Sequence, residues 1–142
     1  MAITQALCTS FKAELLNKEH DMNTDTFKIA LFTSSVTLSA ATTAYSSSNE
    51  ISNTSGSAYS AGGVALSGGA IATTGTTVYV DFADPSWTSA SFTANGALIY
   101  NTSASNKAVC VLAFGGDYTV TNGTFTVTFP AADSSNALIR LA

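Results

Sequence analysis

Charge is what this sequence lacks most. Only 10% of its 142 residues are charged, against roughly 25% in an average soluble protein. Five Lys plus Arg and a net charge of -4 leave no electrostatic footprint for a phosphate backbone, which excludes nucleic acid as a partner. Histidine occurs once, at His20, and cysteine twice, at Cys8 and Cys110. The two cysteines lie far apart, without the density of a disulfide framework or the spacing of a zinc site. They read as small buried hydrophobes. No stretch approaches the roughly 18 consecutive apolar residues of a membrane span. The opening Met1-Ala-Ile-Thr-Gln-Ala-Leu7 has neither a basic region nor a continuous apolar run, so no secretory signal is expected, and folding in a cytoplasm is. A Gly-x-Ser-x-Gly elbow is missing. Gly115-Gly116 lacks the following Lys-Ser/Thr of a phosphate loop, and no Asp-x-Asp-x-Asp loop is present for calcium.

Ser and Thr occupy the space that charge leaves, at 19 and 21 residues, while hydrophobic residues hold an ordinary 46%. A chain of this length buries about 68% of its unfolded surface, enough to stand alone. Residues 1–142 are therefore expected to form a single domain with a core and a neutral, hydroxyl-rich surface.

Residues 3–17 predict the one helix. Ile3, Leu7, Phe11 and Leu15 recur every four residues, Cys8 and Leu16 widen the stripe, and Thr4 offers an N-cap hydroxyl. A polar loop follows to Asp25. From Phe27 the period drops to two, with Phe27, Ile29 and Leu31 on one face. Residues 33–63 are rich in Ser, Thr, Ala and Gly; they read as an excursion with a short strand near Glu50-Ile51 and a turn at Gly62-Gly63. Further strands are expected at Val64–Leu66, Thr76–Ala83, Ser91–Ala94 and Ala97–Tyr100. Lys107–Phe114 is nearly all apolar and predicts a central strand, stopped by Gly115-Gly116-Asp117. Asn122-Gly123 predicts a type I′ hairpin joining Tyr118–Thr121 to Thr124–Phe129. Asn136–Leu141 closes the chain as a strand, with Arg140 at its edge. About eight short strands imply a mainly β fold, an antiparallel β-sandwich of jelly-roll-like kind with one N-terminal α-helix.

Chemistry-bearing residues are few. A lone histidine in a polar stretch reads as a solvated side chain, so His20 is not expected to act as a base. Asp81, Asp84 and Asp117 are candidate ion ligands, although turn-forming Asx side chains explain them as well. Asp81 and Glu50 are the available carboxylates for a glycosidase pair, and nothing in their spacing favours one. Trp87, with Tyr45, Tyr59 and Tyr100, would make either a sugar-stacking or protein-contact platform or a core cluster. No cofactor, no metal and no catalysis are expected.

Other features carry a resemblance. They are Ala6-Leu-Cys-x-Ser-Phe-Lys-x-Glu-Leu-Leu16 followed by His20; Thr26-Phe-Lys-Ile-Ala-Leu-Phe-Thr-Ser-Ser35; Thr42-Thr-Ala-Tyr45 with Asn49-Glu50; and Tyr59-x-Ala-Gly-Gly63. Tyr79-Val-Asp-Phe-Ala-Asp84 with Trp87, Gly96-Ala-Leu-Ile-Tyr-Asn101, Asn106-Lys-Ala-Val109, Phe129-Pro-Ala-Ala-Asp133 and Asn136-Ala-Leu-Ile-Arg140 continue it. Along nearly its whole length the chain resembles small virion proteins of tailed bacteriophages. Cys110 departs from the pattern, where an aliphatic or charged residue is more usual. The resemblance implies a structural particle component. A capsid decoration or cement protein, binding the major capsid protein as a homo-dimer or homo-trimer, is the first expectation. A tail, baseplate or fibre-tip module contacting a host glycan or receptor is the alternative. Residues 34–63 are the expected contact surface, with Tyr45, Glu50, Tyr59 and Trp87 as candidate interface residues.

Overall fold

A computed structural model of the chain describes residues 2–142. It is mainly β, with antiparallel sheets and one α-helix. In chain order the elements are β1 (Ala6–Leu7), α1 (Thr9–Leu16), β2 (Phe27–Phe32), β3 (Val64–Ala65), β4 (Ala70–Thr74), β5 (Thr77–Asp81), β6 (Ser86–Asn101), a 3-10 turn (Thr102–Ala104), β7 (Lys107–Thr126) and β8 (Ile139–Leu141). The strands divide into a five-stranded sheet of order β1-β7-β6-β2-β3 and a three-stranded sheet of order β4-β5-β8.

The core is made of strand segments buried on both faces in β2, the end of β6 and the start of β7. Ile29, Leu31, Leu98, Ile99, Val109 and Val111 are fully buried, each contributing about 1.5–3 kcal/mol of transfer free energy. Phe82, just beyond β5, joins the two sheets: its ring lies 5.7 Å from Phe27 and 6.5 Å from Phe129. Gly96 is required by close approach, because a Cβ there would come within 2.6 Å of the Leu112 carbonyl oxygen and 2.7 Å of the Ile3 side chain.

The helix is shorter than the periodicity predicts. Ile3 and Leu7 share the stripe's spacing, but the residues around them are drawn into extended pairing. Ala6 and Leu7 pair with Val111 and Cys110 on the edge of β7, and Ile3 bridges Leu38. An open sheet edge offers these backbone groups partners that override weak helix propensity. Thr4 is therefore no cap; its N–H donates to the Leu38 carbonyl at 2.9 Å. Cys8 takes the N-cap position, and Phe11 is the only buried residue of α1. Leu16 stands 90% exposed. Phe11 and Leu15 face Val78, Val80 and Ile139 of the small sheet across a cleft of about 120 Å³.

The Asn-Gly hairpin is also corrected. Tyr118–Thr121 and Thr124–Thr126 belong to one strand, β7, which pairs with β6 from Asn101↔Lys107 to Ser86↔Thr126. The reversal lies instead at residues 102–106, where Ser105 and Asn106 have φ of 55° and 58°. Asn122, with φ 47°, supplies its left-handed conformation to a bulge, where the register shifts between Ala90 and Phe92. Its N–H is taken by Ser91 Oγ at 2.9 Å. Likewise Gly115-Gly116-Asp117 does not end the strand. Phe114–Asp117 bulge opposite Asn95, because Ala113 pairs with Gly96 and Tyr118 with Ala94. A hairpin unforeseen in the sequence joins β4 to β5 through Gly75, whose φ is 62°.

Candidate functional site

Four of the residues singled out in the sequence meet around one carboxylate. Glu50 lies in the excursion after β2, anchored by its backbone bridge to Phe32. Its Oε1 accepts from the Tyr45 hydroxyl at 2.5 Å, and its Oε2 accepts from the Tyr59 hydroxyl at 2.5 Å and from the Gly62 N–H at 2.7 Å. The Tyr59 oxygen also accepts from the Leu31 N–H of β2 at 2.9 Å. Tyr100 on β6 donates to the Gly62 carbonyl at 2.6 Å, and its ring stacks on Tyr45 with centroids 4.4 Å apart. The neighbouring Gly63 has φ 80°, and a Cβ there would stand 1.7 Å from the Ile29 carbonyl oxygen. Only glycine lets the backbone pass β2 this closely.

This arrangement is a clamp. Charge-assisted bonds to a carboxylate are the strong ones, and Glu50 accepts three of them. Burial, then the hydrogen bond to Glu50, holds the Tyr45 and Tyr59 phenols well above their ordinary range. Burial, then the Glu50 charge, pushes Tyr100 up to about 12. The phenols stay protonated as donors, so the cluster positions the 45–63 backbone.

Trp87 belongs to the adjoining core. It is 3% exposed, with ring centroids 6.2 Å from Tyr59, 6.3 Å from Phe92 and 6.1 Å from Phe125. A buried indole offers no platform to a sugar. Of the four candidate interface residues, Tyr59 and Trp87 are buried, whereas Tyr45 and Glu50 are half-buried.

His20 is corrected from solvated to buried, at 7% exposure. Asn101 Nδ2 donates to its Nδ1 at 2.9 Å, which leaves Nε2 to carry the proton and donate to Glu14 Oε1 at 2.9 Å. The same amide donates to Asp25 Oδ2 at 2.7 Å, and the Phe11 ring lies 4.8 Å from the imidazole. His20 thus ties α1 to the end of β6. Beside it, Lys107 pairs with Glu19, which raises the lysine.

The other acids are dispersed. Asp117 accepts from Asn95 Nδ2 at 2.9 Å, and Asp84 from the Phe129 N–H at 2.8 Å. Asp81 is buried; desolvation raises its carboxyl, against the opposing bonds from the Phe82 and Leu138 backbone. Asp81 and Glu50 share no hydrogen-bond partner. Among the described residues no group of three or more His, Cys, Asp or Glu is placed to hold a metal. Cys8 and Cys110 are free buried thiols, and burial pushes Cys8 up to about 11 and Cys110 higher still.

One further feature has no signature in the sequence. A groove of about 660 Å³ runs between β7 and the 127–138 segment, with Gln5, Leu7, Phe114, Phe125 and Phe129 in its walls. Its residues come from distant parts of the chain, so no local pattern marks it. Among the described residues no helix is long and apolar enough to cross a membrane. Comparison with protein-family models, curated proteins and solved structures finds no match to this chain.

Proposed function

We propose that this chain is a structural component of a tailed-phage virion, specifically a capsid decoration protein that binds and stabilises the major capsid shell. The reading begins from the resemblance carried by the quoted segments. The observation that favours it is the Glu50 clamp, which fixes an excursion rich in exposed hydroxyls. Ser34, Ser35, Ser46, Ser47, Ser48 and Ser52 are all exposed on it. A pre-ordered surface of neutral hydroxyls and backbone makes hydrogen bonds without the desolvation cost of charges. Many weak copies of such a contact sum by multivalency on a shell. In this reading the chain assembles as a homo-dimer or homo-trimer and performs no catalysis, and its place is the virion.

A tail, baseplate or fibre-tip module is the second reading, favoured by Tyr118, which stands 56% exposed. Copy number separates the two. Quantitative mass spectrometry of purified virions, referenced to the main shell subunit, is expected to give comparable abundance. A few copies per particle would move the assignment to the tail, and absence from the particle would overturn both readings.

A further inference from the structure

The Ser103 N–H donates to Asn101 Oδ1 at 2.9 Å. A backbone N–H can only donate, so this bond decides which end of the Asn101 amide is oxygen. The Nδ2 end then gives one proton to His20 Nδ1 at 2.9 Å and the other to Asp25 Oδ2 at 2.7 Å. An imidazole nitrogen and a carboxylate oxygen are thus neighbours, separated by the one amide that bonds both. His20 Nδ1 accepts only while the ring is neutral, because an imidazolium donates from both nitrogens.

The charged groups around the ring favour the opposite state. On α1, Glu14 Oε1 already receives the Nε2 proton at 2.9 Å. In the loop after α1, Asp25 stands behind the Asn101 amide, and its Oδ2 also accepts the Asp21 N–H at 2.8 Å. The Asp21 carboxylate turns away to the Asn23 N–H at 2.9 Å. The cation from β7, Lys107, is paired with Glu19 and lies 4.0 Å from Glu14 Oε2. Cys8, at the N-cap of α1, is a protonated thiol, pushed up to about 11 by burial and then by the Glu14 charge. The His20 side chain is wholly buried, whereas that of Glu14 is 16% exposed and gives a proton its way in from water.

We infer that His20 is an acid-driven exchange switch, whose Nδ1 on protonation leaves Asn101 and donates to Asp25 instead. The proton comes from water and stays on Nδ1. N–H then faces N–H, and Asn101 cannot present its oxygen without surrendering the Ser103 N–H. Asp25 Oδ2 is the neighbouring acceptor, and the bond to it is charge-assisted. In the neutral state Asn101 ties α1, the 17–26 loop and the 102–106 reversal together. In the protonated state His20 joins α1 to the loop alone, between Glu14 and Asp25, and Asn101 keeps only Ser103. The Thr102 N–H still donates to the Thr26 carbonyl at 2.9 Å, and the Thr26 N–H to Ser103 Oγ at 2.9 Å, so the exchange is local and the sheet survives it. It goes beyond the virion reading and holds or fails without it.

The test is NMR of the full-length, nitrogen-15-labelled chain between about pH 8 and 5, where histidine ordinarily changes charge. At the upper end the ring nitrogens are expected to report the Nε2–H tautomer. Toward the lower end both become protonated, and over the same interval the Asn101 side-chain amide should lose about tenfold or more of its protection relative to a free amide. Asp25→Asn, which removes the charge that receives Nδ1–H, is expected to move the ring's midpoint to lower pH. Glu19→Gln removes an equal charge from the carboxylate on Lys107 and should move it less. Asn101→Ala, which removes the competing donor, should move it to higher pH. Should Asn101→Ala fail to fold, the wild-type tautomer and the Asp25→Asn comparison decide. An Nδ1–H tautomer at about pH 8, a ring still neutral at about pH 5, protonation that leaves Asn101 protected, or equal shifts from Asp25→Asn and Glu19→Gln would each overturn the inference.

Discussion

Glu50 joins three loop positions that no local hydrogen-bond pattern would otherwise hold together. Glu50→Ala leaves the buried Tyr59 hydroxyl without its acceptor and is expected to cost about 2–3 kcal/mol of stability, read as a lower urea midpoint. Glu50→Gln should retain part of that loss, since an amide oxygen still accepts from a phenol. Gly63→Ala should be worse, because the added Cβ meets the β2 backbone and not a side chain that can move. About 3 kcal/mol or more is expected by the same measurement. Phe11, fully buried beside His20, should cost about 3 kcal/mol when truncated to Ala; a shift below about 1 kcal/mol would remove it from the core. His20→Ala, which removes a side chain read from the sequence as solvated, should destabilise by about 2 kcal/mol through the broken Glu14–His20–Asn101 chain. Tyr45, Glu50 and Tyr59 were visible in the sequence as rare aromatic and acidic residues in a Ser/Thr-rich stretch. That they meet was not, because the contacts run through Leu31, Gly62 and Tyr100 on separate parts of the chain.

Strands with strict alternation were legible, and those defined by their partners were not. β2 and β5 announce themselves through Phe27-Ile29-Leu31 and Val78-Val80. β4, reading Ala-Ile-Ala-Thr-Thr, has too little contrast between its faces to register, and β1 reads as helix until β7 is present to receive it. The Asn122-Gly123 pair shows a related ambiguity. Sequence reports a left-handed backbone there, and both a type I′ turn and a bulge consume one. The two differ in their response to substitution. Asn122→Val is expected to cost only about 1–2 kcal/mol, the penalty of one β-branched residue in that conformation, with the long β6–β7 ribbon kept. If Asn122 were the apex of a hairpin, the same change would disrupt the pairing of the flanking segments, visible as lost amide protection on both sides.

Across the whole molecule, three of the five tyrosines carry protonation linked to the fold. Burial is the first cause in each case, and each phenol is held above its unfolded value. The native state therefore keeps protons that the unfolded chain releases. This contribution is fully present below about pH 10 and is lost as pH rises through the folded values. Stability should fall steadily above about pH 10, and the phenolate absorbance of Tyr45, Tyr59 and Tyr100 should appear only as the fold opens. Glu50→Ala should bring that ionisation of Tyr45 and Tyr59 to lower pH, because the hydrogen bond and the negative charge that hold the protons are gone. At the acid end Asp133, lowered chiefly by its bond from Asn136, stabilises above its unfolded value. That contribution fades as pH falls through the folded one.

The pairing of Ala6 with Val111 and of Leu7 with Cys110 also sets a timetable. During synthesis the first strand has no partner until most of the chain has left the ribosome. Until then Leu7, Cys8 and Phe11 remain without their burial site. Such distant pairing slows folding relative to local contacts. The β4–β5 and β6–β7 hairpins can close early, while the N-terminal segment waits and seals the sheet late. Of the paired segments, the one made earliest is thus expected to dock last.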